Sequence, residues 1–275
     1  MQIGNKIFDL NNKVYIMGIL NVTPDSFSDG GTHNTLDTSL RHVEKMIADG
    51  ADIIDLGGES TRPGYTVISD AEEIDRIIPV IEAIHQRFDI PISIDTYKGQ
   101  VGEAALNAGA DLINDIWGFK HDPYLAEVTA KHKVPCILMH NRDNQNYTDL
   151  MTDIYQDLEA SIAIALNAGV SKDSIILDPG IGFAKDYHQN MKTIQHLESL
   201  QTLGLPILLG TSRKGFIGIT LNLPVNERVE GTVATTVIGI MKGASIIRVH
   251  DVLENKRAAI MTAAILKGES WISSI

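Results

Sequence analysis

The sequence predicts an α/β protein, a closed (β/α)8 TIM barrel in a single domain, and three observations lead to that prediction. Eight continuous apolar runs recur along the 275 residues, as in the strands of a parallel sheet that is buried on both faces. Amphipathic stretches with helical periodicity lie between these runs. No linker or low-complexity segment divides the chain, so residues 1–275 are assigned to one domain. Periodicity alone does not prove closure, and a doubly wound open sheet is the alternative fold.

The predicted elements follow one another in a regular order. Residues 1–13 come first, and we expect a small hairpin there that closes the N-terminal end of the barrel. The predicted strands are 14–20, 52–56, 91–95, 111–115, 135–140, 174–178, 206–210 and 245–250. The clearest predicted helices are 36–49, 71–88, 154–168 and 228–242. A Gly-Ala pair precedes three of the strands, and its glycine permits the left-handed turn that ends a helix.

Charge and cysteine content restrict the partners and the compartment. The net charge of −12 disfavours nucleic acid and anionic membranes as partners, and it requires any site for an anion to be locally basic. The single cysteine, Cys136, excludes an internal disulfide and a cysteine-based zinc site, and its apolar surroundings indicate a buried structural thiol. With this cysteine content, no apolar run of transmembrane length and no signal-peptide pattern, we expect a cytoplasmic protein.

Polar residues gather where the predicted strands end, which is where (β/α)8 barrels place their active sites. They are Asn21, Asp55, Glu59, Asp95, Asn114, Asp115, His140, Asp178, Ser212, Arg213, Lys214, Arg248 and His250. Arg248 and His250 alternate with apolar residues, so both lie on one face of a strand, and a charge in a barrel interior needs a partner or a ligand. His140 is either a ligand or a packed core residue, and packing is the favoured interpretation.

These residues divide by charge into two groups. The cationic group suits phosphate, because arginine presents a fork of donors; it comprises Arg62, Arg213, Lys214, Arg248 and His250. Asp95, Asn114 and Asp178 suit a flat heterocycle that carries several N–H donors. Together the groups predict a pocket for a heteroaromatic ring joined to phosphate. A carboxylate pair for glycoside hydrolysis, Asp95 with Asp178, ranks lower because the cationic group has no role in that chemistry.

Eight motifs in these regions carry a family resemblance. They are Met17–Gly31, Asp55–Gly64, Ser93–Thr96, Ile113–Ile116, Leu138–His140, Leu177–Phe183, Ser212–Lys214 and Ile247–Asp251. With them the sequence resembles the bacterial dihydropteroate synthases, folate-pathway enzymes that sulfonamides inhibit. The resemblance implies a homodimeric barrel that uses Mg²⁺. It also implies a reaction in which 6-hydroxymethyl-7,8-dihydropterin diphosphate and 4-aminobenzoate give 7,8-dihydropteroate and diphosphate.

The resemblance also implies a role for each matching residue. The pterin-binding residues it implies are Asp95, Asn114, Met139, Asp178, Phe183 and Lys214. The diphosphate-binding residues it implies are Asn21, Thr61, Arg62, Arg248 and His250, with Asn21 also near Mg²⁺. The residues implied around 4-aminobenzoate are Phe27, Pro63, Ser212 and Arg213. The catalytic group is then Asp95, Lys214, Arg248 and His250.

The loop after the first strand is longer than the roughly 2–6 residues common in such units. The family match makes it a lid that substrate orders, with Phe27 and Pro63 folding over the aminobenzoate ring. Two positions depart from the family. Gly215 stands where several members carry serine, so only its backbone N–H is available there, and Tyr97 replaces a smaller residue, at a position we expect to be peripheral.

Two other classes of protein compete with this interpretation. A related pterin-binding methyltransferase that works with a corrinoid partner has no need of Arg62, Arg248 and His250 as a diphosphate site. A pterin-binding protein without activity predicts the loss of catalytic positions, and none of those positions is lost.

Overall fold

Eight parallel strands close into a barrel in the computed structural model, which describes residues 1–22, 32–59 and 67–268. The strands are β3 (Tyr15–Asn21), β4 (Ile53–Gly57), β5 (Ile92–Asp95), β6 (Leu112–Asp115), β7 (Cys136–Met139), β8 (Ile175–Asp178), β9 (Ile207–Leu209) and β10 (Ala244–Val249). Each strand pairs with the next along the chain, and β10 pairs with both β9 and β3. The predicted closed barrel is therefore confirmed, and the open sheet is excluded.

Nine helices flank the barrel within the described ranges. They are α1 (Thr32–Ala48), α2 (Asp70–Arg87), α3 (Gly99–Asn107), α4 (Tyr124–His132), α5 (Leu150–Ala168), α6 (Tyr187–Gln195), α7 (Gly215–Leu221), α8 (Val229–Met241) and α9 (Val252–Lys267). The four that periodicity predicted begin and end within about four residues of the predicted bounds. Side-chain caps mark several starts: the Ser69 hydroxyl accepts from the Glu72 N–H at 3.2 Å, and Asp186 forms a capping box with Gln189.

The Gly-Ala pairs form the turns that the sequence predicts. Gly50, Gly109 and Gly243 have φ values of +100°, +112° and +92°, a region that side chains disfavour. In two of the copies an aspartate follows and ties the new strand to its neighbour. Asp52 accepts from the Ile16 N–H at 2.7 Å, and Asp111 accepts from the Ile92 N–H at 2.9 Å. The motif therefore ends one helix and sets the start of a strand pair.

An antiparallel hairpin of β1 (Gln2–Ile3) and β2 (Lys6–Ile7) begins the chain. Its buried residues and those just after it pack beneath the lowest interior layer of the barrel. That cluster consists of Ile3, Phe8, Leu10, Met17, Ile53, Leu112, Ile137, Ile176, Leu208 and Ile246. Burying these side chains stabilises the barrel by roughly 1.5–3 kcal/mol each. The N-terminal end of the barrel is thus filled by apolar side chains.

No helix in the described part of the chain is both long enough and apolar enough to cross a membrane.

Candidate active site

The polar side chains stand directly above the apolar floor of the barrel. Alternate residues of a strand share a face, so the residue two positions beyond each interior apolar residue also points into the barrel. By that rule, five side chains point into the barrel, each above the floor residue two positions earlier. They are Asp55 above Ile53, Asn114 above Leu112, Met139 above Ile137, Asp178 above Ile176 and Arg248 above Ile246. The period of two therefore explains why five strands contribute to one site at the C-terminal end of the barrel.

Arg248 lies at the centre of this site between two buried carboxylates. Its Nε donates to Asp55 at 2.5 Å and its Nη2 donates to Asp95 at 2.6 Å. Asp55 is fully buried and also accepts from the Asn114 amide nitrogen at 3.2 Å. With that nitrogen engaged, Asn114 offers its carbonyl oxygen as an acceptor. The Nη1 of Arg248 makes no hydrogen bond to any residue that the structure describes.

One oxygen of the Asp95 carboxylate, Oδ1, is buried and is left without a hydrogen-bonding partner among the described residues. Burial raises the pKa of Asp95 to about 7, while the Arg248 guanidinium lowers it and the Asp55 carboxylate raises it. A buried acceptor without a donor is unfavourable by about 1–3 kcal/mol, so this oxygen fits a ligand N–H or a proton.

Asp178 and Lys214 form the other side of the pocket. Asp178 accepts from the Gly180 N–H at 2.7 Å, and burial raises its pKa while Lys214 lowers it. The Lys214 ammonium donates to the carbonyl oxygen of Ile181 and lies 4.8 Å from the centre of the Phe183 ring. Burial lowers the pKa of Lys214 to about 8, against the opposing effect of the Asp178 carboxylate.

An apolar wall adjoins these charges. Met139 pairs with Asp178 in the β7–β8 register and packs with Tyr97 and Ile116. Trp117 and Phe183 pack against the same cluster. A flat ring with N–H donors on its edge matches acceptors on one side and an apolar wall on the other.

The ends of β9 and β10 bring the remaining cationic residues together. Ser212 accepts from the His250 backbone N–H at 3.1 Å and lies 2.9 Å from the His250 Nδ1. Arg213 has φ +57° and pairs with Asp251 through two hydrogen bonds, of 2.9 and 2.5 Å. Arg228, which the sequence did not single out, donates to the Arg213 carbonyl oxygen at 2.9 Å and so holds this turn from outside.

The structure contradicts the peripheral position expected for Tyr97, and it shows which of the two interpretations of His140 is right. Tyr97 is 4% exposed and its hydroxyl donates to Glu59 at 2.7 Å, so the predicted peripheral position is wrong. Lys98 bonds Glu59 and the Ile68 carbonyl oxygen, each at 2.8 Å, which ties together the two sides of the segment 60–66. His140 is fully buried and hydrogen-bonded, as packing predicts.

Some predicted site residues lie outside the described part of the chain. These are Phe27, Thr61, Arg62 and Pro63, so their assignments and the predicted lid stay predictions. Asn21, at the end of β3, is half-buried beside Gly57 in the β3–β4 pairing.

The described residues contain no group of three or more His, Cys, Asp or Glu side chains placed to hold a metal ion. Mg²⁺ usually keeps several waters and binds through one or two protein oxygens together with substrate phosphates. The amide oxygen of Asn21 is a donor of that type. The residues present therefore fit a metal that a phosphate group would share.

The fold and the site define a barrel enzyme for a heteroaromatic substrate, and similarity to known proteins specifies the class. The family model described as pterin binding enzyme matches residues 17–250. The dihydropteroate synthase of Clostridium beijerinckii is 62% identical over 97% of this chain and 100% of its own length. Two solved structures are also similar. Dihydropteroate synthase from Clostridium difficile, crystallised in the presence of pteroic acid, has a TM-score of 0.93 at 53% identity, covering 94% of this chain and 99% of that one. The Yersinia pestis enzyme with a sulfonamide drug has a TM-score of 0.91 at 44% identity, covering 98% and 99%.

The chain belongs to the pterin-binding enzyme family and, within it, to the dihydropteroate synthases. The predicted family and enzyme class are confirmed.

Proposed function

We propose that this chain condenses 6-hydroxymethyl-7,8-dihydropterin diphosphate with 4-aminobenzoate, and that the residues gathered at the barrel mouth carry out the reaction. The observation that carries the proposal is the buried Oδ1 of Asp95, an acceptor without a donor beside further acceptors on Asn114 and Asp178. A pterin ring carries several N–H donors along one edge. The Clostridium difficile relative was crystallised with pteroic acid, which contains both a pterin and an aminobenzoate group.

The pterin ring binds between the acceptors and the apolar wall. Asp95, Asn114 and Asp178 accept from the ring N–H groups. Lys214 donates to a ring acceptor, since its ammonium already lies over the Phe183 ring at the edge of the pocket. Met139 and Phe183 pack against the ring faces. This set explains recognition of the heterocycle before any chemistry occurs.

The diphosphate binds on the cationic side, through Arg248, His250 and Asn21 together with Thr61 and Arg62. Arg248 is suited to this role because Asp55 and Asp95 hold its guanidinium while Nη1 is left for a phosphate oxygen. Asn21 would hold Mg²⁺ together with the diphosphate, and the bound metal would supply positive charge to the departing group.

The reaction follows from this distribution of charge. The bond between the pterin methylene carbon and the diphosphate oxygen breaks, and the electron pair leaves with the diphosphate. The Asp95 carboxylate stabilises the positive charge that develops on the pterin. The neutral arylamine nitrogen then attacks the methylene carbon and releases a proton. Ser212 and Arg213 flank the aminobenzoate, and Phe27 and Pro63 fold over it as the lid closes.

The test is product formation with each substrate omitted in turn. Diphosphate should appear only when the pterin diphosphate and 4-aminobenzoate are both supplied with Mg²⁺. Pterin binding without dihydropteroate formation would support a binding protein instead, and methyl transfer from a methylated folate would support the methyltransferase.

Calorimetry should also show that aminobenzoate binds tightly only with diphosphate or the pterin substrate present. Equal affinity without them would contradict the lid. Sulfonamides, which the Yersinia pestis relative binds, should compete with aminobenzoate.

The enzyme acts as a homodimer, and the packed helices α8 and α9 support this. Met241 on α8, with Met261 and Ile265 on α9, expose 64%, 60% and 69% of their surface. Large apolar groups on adjacent helices suit burial against a second copy of the chain. Sedimentation should give a dimer that Ile265→Lys weakens and that Ile7→Lys, at a still more exposed site on β2, does not. A wild-type monomer would contradict the assignment.

The lone buried Cys136 is consistent with a reducing cytoplasm.

A further inference from the structure

Lys185 is a buried cation that the reaction scheme does not use. Its side chain is 5% exposed, and its ammonium lies between three acceptors. These are the His140 Nδ1 at 2.8 Å, the Gly180 carbonyl oxygen at 3.0 Å and the Phe183 carbonyl oxygen at 3.2 Å. These three acceptors are its direct partners: no carboxylate of the described chain forms an ion pair with it, and the Asp178 carboxylate stabilises its charge from further away. A lysine ammonium has one hydrogen for each of them.

His140 is held so that it can accept from Lys185. Its Nε2 lies 3.0 Å from Asp157, and Arg142 donates to the same Asp157 oxygen at 2.5 Å. The protonated Lys185 has only hydrogens to offer, so the His140 Nδ1 accepts from it, and the Asp157 carboxylate accepts the proton that Nε2 carries. Burial and, after it, the charge of Lys185 lower the pKa of His140 to about 2, so the ring stays neutral.

The same cation shapes the turn that follows β8. Gly180 has φ +69°, and a Cβ there would lie 2.0 Å from the His140 carbonyl oxygen, so the turn passes very close to the end of β7. Lys185 reaches back and binds the carbonyl oxygens at both ends of the segment Gly180–Phe183. Burial lowers the pKa of Lys185 to about 7, and a neutral amine would leave one of the three acceptors without a donor.

That turn presents three groups of the pterin site. The Gly180 N–H donates to Asp178. The Ile181 carbonyl oxygen accepts from Lys214, and the Phe183 ring lies beneath the Lys214 ammonium. A change in the path of the turn would therefore displace an acceptor, a donor and a packing surface together.

We propose that Lys185 is a positioning residue for pterin recognition, which acts through the Gly180 and Phe183 carbonyl groups and is itself oriented by His140 and Asp157. The inference rests on the proposed function, because it takes Asp178, Phe183 and Lys214 as pterin ligands. Lys185 touches none of the reacting atoms. Its effect should appear in the affinity for the pterin and leave the aminobenzoate site unchanged.

The test is Lys185→Met, which keeps the length of the side chain and removes its donors. We expect KM and Kd for the pterin diphosphate to rise by about tenfold to a hundredfold, as for lost hydrogen bonds from a charged donor. KM for 4-aminobenzoate should change by less than about twofold. The control is Lys192→Met, the same substitution at an exposed position of α6, which should leave both constants unchanged.

Two outcomes would overturn the inference. One is a folded Lys185→Met enzyme with an unchanged pterin KM, and the other is an equal rise in both KM values, which would indicate general loosening. If that variant does not fold, Asp157→Asn decides the question. It retains Lys185 and should raise the pterin KM alone, by a smaller factor, whereas no change would refute the proposal. Failure of the proposed function would appear as inactivity of the wild-type enzyme, and failure of this inference only in the variants.

Discussion

Replacing Arg248 with methionine tests how the centre of the site is held together. The guanidinium binds Asp55 at 2.5 Å and Asp95 at 2.6 Å, and those two residues are 0% and 6% exposed. Methionine keeps much of the side-chain volume and removes the charge. The variant therefore leaves two buried carboxylates next to each other, and each disfavours ionisation of the other.

The expected loss of stability depends on pH in a defined way. Removing one partner of a buried ion pair costs about 3–5 kcal/mol. Asp95 can reduce that cost by binding a proton, because its pKa is already about 7 and Arg248 is the group that lowers it. In the variant this pKa lies higher. A carboxyl whose pKa is raised by folding binds more protons when folded, so its contribution to the unfolding free energy falls as the pH rises towards its folded pKa.

Below pH 7, the contribution of Asp95 to the unfolding free energy falls with rising pH in both the wild type and the variant. Above pH 7, it continues to fall only in the variant. We expect a loss of about 3 kcal/mol at pH 6 that grows by up to about 1.4 kcal/mol per pH unit above pH 7. Urea unfolding followed by circular dichroism at pH 6, 7 and 8 measures it. Arg257→Met, at an exposed arginine of α9, is the control and should change stability by less than about 0.5 kcal/mol at every pH.

A loss that does not vary with pH would refute the argument that Arg248 holds down the pKa of Asp95. The kinetic consequence is separate: kcat/KM should fall on the order of 10²-fold or more, because a donor to the departing diphosphate is removed. Wild-type kinetics combined with the stability loss would make Arg248 a structural residue.

Three further predictions use the same geometry. Because burial raises the pKa of Asp95 to about 7, kcat/KM should rise with pH through about 7. The variant Asp95→Asn should lose this pH dependence and should be slower by on the order of 10²-fold. If the variant keeps the pH dependence, another group is responsible for it. Apart from its chain neighbours and the backbone of its own helix, no atom of the described residues lies within 4 Å of where a Cβ at Gly215 would stand, so Gly215→Ser should fold normally. Its hydroxyl should lower KM for 4-aminobenzoate by about three- to tenfold, whereas Gly215→Ala should not. Nitrogen-15 NMR should show His140 neutral, with the proton on Nε2, from pH 5 to pH 8, and a titration in that range would contradict the buried network.

The sequence predicted the barrel and the gathering of polar residues at the ends of its strands, because both depend on local periodicity. Continuous apolar runs locate the strands, and the period of two then places Asp95, Asn114, Asp178 and Arg248 in the interior. What the pattern does not contain is the pairing between distant residues. Arg248 and Asp55 are 193 residues apart, and only the closure of the barrel brings them together.

Lys185 and Tyr97 escaped prediction for a related reason. Lys185 follows a glycine-rich turn and resembles a surface lysine, because its partner His140 lies 45 residues earlier, just past the end of β7. Tyr97 differs from the family in size, which led to the expectation of a peripheral position. Its hydroxyl instead reaches Glu59, whose other oxygen binds Lys98. A polar side chain shows its role in the sequence only when its partner lies within the same periodic segment.

The local charge of the site explains how a chain with a net charge of −12 can attract an anionic substrate. In the interior, the acids and bases lie close together: Arg248 with Asp55 and Asp95, and Lys214 near Asp178. In the proposed complex, the pterin N–H groups occupy the carboxylates from one side, which leaves the guanidinium and ammonium charges less compensated towards the diphosphate. Since charges interact more strongly in a site that excludes water, the pterin ring itself then increases the attraction for the group that has to leave. The proposed function therefore makes recognition of the ring and departure of the diphosphate depend on the same ion pairs.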